Sequence, residues 1–84
     1  MEKSLFTHEY REFTRLLREL REQAGLTQTA LAERVGQSQS YISKWERGDL
    51  RLDLVQLRAL CRAMGVSLPA FVTEFDTRVA KRKR

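Results

Sequence analysis

Ser38-Gln39-Ser40-Tyr41-Ile42-Ser43-Lys44-Trp45-Glu46-Arg47 is the stretch on which the reading of this 84-residue chain turns, inside a longer segment from Thr27 to Arg51. Wound as a helix at about 100° per residue, it puts Tyr41, Ile42, Trp45 and Glu46 on one side and Ser40, Ser43, Lys44 and Arg47 on the other. The outer face is polar or basic and holds no carboxylate. Solvated helix faces ordinarily mix both signs of charge, so short hydroxyls with two cations suit a polyanion that offers hydrogen-bonding edges. Nucleic acid fits that description. A plain surface helix that lacks acids by chance reads the same way over so short a span, and the residues before it decide between the two.

Thr27 can cap a short helix whose inner face is Leu31, Ala32 and Val35 and which Gly36 closes. Only Gln37 and Ser38 separate it from the next helix, which Ser38 caps. So tight a connection forces the two helices to cross steeply, and the small side chain of Ala32 permits the close approach. Ile42 and Trp45 then lock the later helix inward and leave the Ser40 face outside. This is helix-turn-helix geometry over residues 28–47.

Upstream, Tyr10, Phe13, Leu16, Leu17, Leu20 and Ala24 form one stripe of a helix from about His8 to Ala24, with Thr7 as its cap and Gly25 as its end. Its other faces carry Arg11, Glu12, Arg15, Arg18, Glu19 and Glu22, with Arg15 spaced to pair with Glu12 or Glu19. Downstream, Asp53 and Gln56 make a capping-box start to a fourth helix with the stripe Leu54, Leu57, Leu60, Cys61 and Met64. Cys61, in the middle of that stripe, reads as a small core residue. Ser67 caps a fifth helix, in which Pro69 is tolerated in the first turn and Leu68, Phe71, Val72, Phe75 and Val79 share one side. The expectation is an all-α fold, a five-helix bundle, with one domain over 1–80 and a frayed basic tail over 81–84.

Composition narrows the function classes. The net charge is +5, but Arg78, Lys81, Arg82, Lys83 and Arg84 supply five of the sixteen basic residues, so the body is balanced at eleven against eleven acids. Affinity for a polyanion must come from locally placed cations and from the tail, not from a field of the whole domain. The tail is either a source of sequence-independent phosphate contacts or a solvated end. One cysteine excludes an intrachain disulfide, and no cluster suggests a metal or other cofactor. No stretch approaches the roughly 20 apolar residues of a membrane span, so a cytoplasmic protein with no membrane partner is expected. The single histidine, His8, finds no nucleophile and orienting acid to work with, so an enzyme is not expected.

The pattern Gly25-Leu26-Thr27-Gln28, Leu31-Ala32, Val35-Gly36 and Ser38 to Gly48 resembles the phage repressor and Cro type of helix-turn-helix domain, also called the XRE type. The likeness spans about Leu17 to Phe75. It implies a compact lambda-repressor-like bundle in which the second and third helices read double-stranded DNA. By the same resemblance, Gln39, Ser40 and Lys44 stand where such proteins read base edges, with Ser43 and Ser38 as neighbours that could join them or only bond locally. Gln28 and Thr27, at the start of helix two, match phosphate-contacting positions, where a helix N-terminus favours an anion. Tyr41, Arg47 and Arg51 are further phosphate candidates, against partial packing for Tyr41 and solvated surface for the arginines.

Glu46 faces inward, where an unpaired carboxylate is costly. Arg21, at the edge of the helix-one stripe, is the position that the resemblance pairs with it as a structural salt bridge. The implied function is a transcriptional regulator, a repressor that binds a palindromic operator as a homodimer. Phe71, Val72, Phe75 and Val79 either form the dimer surface or are consumed by the monomer core. The other reading that the fold allows is an antitoxin-type module that holds a toxin partner and represses its own operon.

Overall fold

The computed structural model describes residues 2–82, which form five helices: α1 (Glu2–Gln23), α2 (Gln28–Val35), α3 (Gln39–Arg47), α4 (Leu54–Ala63) and α5 (Leu68–Arg82). Among these residues no helix is long and apolar enough to cross a membrane.

Local chemistry sets most of the boundaries. The side-chain oxygens of Thr27, Ser38 and Asp53 accept from the backbone N–H groups of Ala30, Tyr41 and Gln56, so each satisfies a donor that its helix leaves open. Asp53 and Gln56 complete a reciprocal capping box, since the Gln56 side chain accepts from the Asp53 N–H at 2.9 Å. At the other ends of α2 and α3, Gly36 and Gly48 take φ values of 71° and 79°, a left-handed conformation that costs glycine nothing. The residues after them, Gln37 and Asp49, donate back to Ala32 and Lys44 at 2.9 Å each, which closes both helices abruptly. The three-residue link between α2 and α3, Gly36 to Ser38, is therefore sharp, as helix-turn-helix geometry requires.

One core joins all five elements. Leu16 and Leu17 of α1, Leu31 and Ala32 of α2, Ile42 and Trp45 of α3, Leu57, Leu60 and Cys61 of α4 and Phe71 of α5 are buried together. α1 packs on α3 and α5, while α4 packs on α2 and α5. Phe13 stands edge-on to both Phe71 and Phe75, with ring centroids 5.7 and 6.0 Å apart. Burying a side chain of this size contributes about 1.5–3 kcal/mol, so these few residues carry most of the stability of a small domain. Cys61 is completely buried, and burial pushes its thiol above the ordinary range and keeps it an inert core residue.

Four expectations are corrected. Helix one begins at Glu2, so Thr7 lies inside it and does not cap it; it ends at Gln23, leaving Ala24 exposed. Leu54 is 65 % exposed, so the first residue of α4 does not share the burial of Leu57, Leu60 and Cys61 on the same stripe. Phe71, offered for a dimer surface, is buried in the monomer core, and Phe75 and Val79 are half-covered, so of that set only Val72 is exposed. The helix also continues through Arg82, where fraying was expected from Lys81; Lys83 and Arg84 lie outside the described residues.

Glu19 provides a further difference. It pairs with Arg78 of α5 at 2.8 Å, whereas Arg15 takes Glu12 at 3.4 Å. Arg78 also donates to Glu74 at 2.8 Å, so a cation counted with the basic tail is neutralised inside the fold. The Arg78 guanidinium holds the Glu19 carboxyl below the usual carboxylate range, and both glutamates raise Arg78 in turn.

Candidate nucleic-acid interface

Two large side chains and one ion pair hold α3 in place. Ile42 and Trp45 are buried against the core. Beside them, the Arg21 Nε and Nη2 donate to the two carboxylate oxygens of Glu46 at 2.6 and 3.1 Å, a forked arrangement that suits the planar guanidinium. Arg21 Nη1 also donates to the carbonyl of Leu26 at 2.7 Å, which ties the loop after α1 into the same cluster. The two side chains are only 9 % and 4 % exposed, so neither charge could stand there without the other.

The cluster extends outward to the surface of α3. Gln28, the first residue of α2, donates its amide to Glu46 Oε1 at 3.1 Å and accepts from Gln39 Nε2 at 2.6 Å. A continuous chain of hydrogen bonds thus runs from Arg21 of α1 through Glu46 and Gln28 to Gln39 on the outer side. This bridging of Gln28 is not legible as a pairing in the sequence. Its only trace is that Gln28 and Gln39 each follow a capping residue and so begin adjacent helices in the same way. The consequence is orientation: Gln39 is held by a partner that is itself anchored to a buried carboxylate.

The remaining outward residues divide by their local bonds. Ser40 and Lys44 are exposed on the outer face. Ser38 and Thr27 have their hydroxyl oxygens engaged as caps. Ser43 is half-buried and accepts from Arg47 Nη1 at 2.8 Å, while Arg47 Nε donates to Asp49 at 2.9 Å. Tyr41 is 46 % exposed, with its ring 5.8 Å from that of Trp45, so it packs with one edge and shows the other to solvent. Arg51 places its guanidinium 4.3 Å from the centroid of the Tyr10 ring, a cation–π contact with α1 that sequence reading missed. Among the described residues, no group of three or more His, Cys, Asp or Glu side chains is placed to hold a metal ion.

A short, capped, two-faced helix braced by the helix before it defines a helix-turn-helix protein. Comparison with known families agrees: a helix-turn-helix family model matches residues 17–71. An uncharacterised HTH-type transcriptional regulator, y4dJ, of Sinorhizobium fredii is 42 % identical over 57 residues, which are 68 % of this chain and 74 % of that protein. Among solved structures, an XRE-family like protein from Pseudomonas syringae pv. tomato superposes with a TM-score of 0.84 at 34 % identity, covering 90 % of this chain and 93 % of the other. The clp gene regulator ClgR from Corynebacterium glutamicum gives 0.79 at 28 % identity, covering 89 % and 80 %. The chain belongs to the helix-turn-helix family of the XRE type, a family of transcriptional regulators.

Proposed function

We propose that this protein is a sequence-specific DNA-binding regulator that acts as a homodimer and represses by covering a promoter. The observation that carries the reading is the outer face of α3, on which Gln39, Ser40 and Lys44 are exposed while the inner face is fastened by Ile42, Trp45 and Glu46. An α-helix fits the major groove, where glutamine suits adenine and lysine suits guanine. Gln39 and Lys44 are the principal base readers, with Ser40, Ser43 and Ser38 contributing short-range contacts. Thr27, Gln28, Tyr41, Arg47 and Arg51 border this face and supply phosphate contacts, Gln28 in addition to its bridging bonds.

One copy offers few base contacts, and two copies related by a twofold axis read half-sites about 34 Å apart on a palindrome. Leu54 and Val55, 65 % and 78 % exposed at the start of α4, are the apolar surface best suited to a second copy. They follow α3 by a short loop, so pairing there would set the spacing of the two reading helices. On α5, Phe71 is spent in the core, whereas Val72, Phe75 and Val79 keep exposed surface and are the other candidate face for a second copy.

Selection of bound duplexes from a random pool tests the reading, with an enriched palindrome as the expected result. Enrichment of no motif would sink it. Sedimentation of a Val55→Asp variant tests the surface: loss of dimer with an unchanged helical spectrum is expected, and an unaltered dimer would move the contact elsewhere.

A further inference from the structure

The α1 helix carries an arginine that the fold brings to the end of α3. A side-chain carbon built on Gly48 would lie 3.6 Å from the Tyr10 ring and 3.9 Å from the Thr14 methyl, so this face of α1 abuts the point where α3 stops. Between them runs an open cleft lined by Tyr10, Arg11, Thr14, Arg47 and Gly48. Arg11 and Arg47 thus reach one cleft from two helices, and Arg51 approaches from a third segment by stacking on the Tyr10 ring. Asp49 is the acid that bonds to Arg47 there.

Position relative to a duplex gives this convergence its meaning. A helix seated in the major groove is flanked on both sides by phosphate, and in a helix-turn-helix unit the N-terminal residues of the reading helix are the ones at the base edges. Its C-terminal end therefore lies toward the groove margin. Gln28 sits beside the N-terminal end of α3, whereas the Arg11 cleft lies at its C-terminal end.

We infer that the cleft between α1 and the end of α3 binds a DNA phosphodiester, with Arg11 as the contact supplied by helix one. The inference rests on the reading of α3 as the groove-inserted helix. It assigns Arg11, which sequence pattern alone placed on a solvated face, to the backbone-anchoring set. A phosphate there would be held between two guanidinium groups, positioning the protein without reading sequence.

Titration of the selected duplex over a salt series tests this with the wild type, Arg11→Gln and, as a charge-matched control, Arg62→Gln on the exposed side of α4. Arg11→Gln is expected to weaken binding roughly fivefold per contact at low salt, lower the slope of log affinity against log salt by about two, one for each copy of the homodimer, and leave the preferred sequence unchanged. Arg62→Gln should leave the slope in place. If Arg11→Gln keeps the wild-type slope, or if both variants lower it equally, the cleft holds no phosphate and the inference fails while DNA reading by α3 stands. If the wild type binds no duplex at all, the reading of α3 falls and the cleft assignment falls with it.

Discussion

The third and fifth helices of this small bundle solve opposite problems. α3 has nine residues and keeps a polar face clear by fastening the other with Ile42, Trp45 and a forked Arg21–Glu46 pair. α5 has fifteen residues, yet among its described side chains only Phe71 is fully buried, and the polar tie to α1 is Arg78 on Glu19, where both side chains remain partly in water. Precise placement of a short helix therefore comes from dense, desolvated contacts, whereas a longer helix is held by one fully buried aromatic, a few half-covered apolar side chains and a surface pair. Precision is what a reading helix needs, because a base-edge hydrogen bond tolerates little displacement.

Breaking the α3 anchor should cost the most. Trp45→Ala removes a large buried side chain, worth about 3–5 kcal/mol, which is much of the stability a domain this small possesses. Loss of cooperative unfolding by circular dichroism is expected, and a variant that melts like the wild type would show that α3 is fastened some other way. Arg21→Ala comes next. It strands the Glu46 carboxylate in the interior at about 3 kcal/mol and should lower the melting temperature and loosen DNA binding together. Unchanged stability would count against the pair as a brace.

Changes on the outer face of α3 should separate reading from folding. Gln39→Ala and Lys44→Ala are expected to keep the wild-type melting temperature while losing about 1–3 kcal/mol of discrimination between the preferred and a substituted base. Replacement of both with no change in site preference would remove α3 as the reader.

The α5 tie should be the mildest to break, since exposed pairs contribute about 1 kcal/mol or less. Its pH dependence has a definite sign. Because Arg78 depresses the Glu19 carboxyl, the pair's stabilisation is complete above the ordinary glutamate range and is lost as pH falls through the lowered value. Arg78→Gln should thus melt a few degrees lower near neutral pH, and the gap to the wild type should narrow as pH falls below the ordinary glutamate range. A gap that stays constant with pH would mean that Glu19 titrates independently of Arg78.

These regions also differ in how far they could be read beforehand. The caps of α2, α3 and α4 and the stops at Gly36 and Gly48 are visible because a capping oxygen and its N–H lie within three residues, and a left-handed turn needs only one suitable residue. The inward position of Glu46 follows from helical periodicity, which demands a partner without saying which. The Glu19–Arg78 pair joins residues 59 apart, the Gln28–Glu46 bond residues 18 apart and the Gln39–Gln28 bond residues 11 apart. No local pattern encodes those. Leu54 shows the same limit from the other side: its spacing places it on the stripe of α4, but whether that end of the stripe is covered depends on where the other helices stop.

Residue order alone determined that Ser38 to Arg47 would be a helix with one apolar and one basic side, since capping and periodicity are properties of consecutive residues. Tertiary packing decided which polar groups come together: that Gln39 is steadied through Gln28 by a buried carboxylate, that Arg78 turns inward, and that Arg11 lines the same cleft as Arg47. Those meetings depend on the angles and offsets between whole helices, which the combined shape of the core sets and no single segment contains.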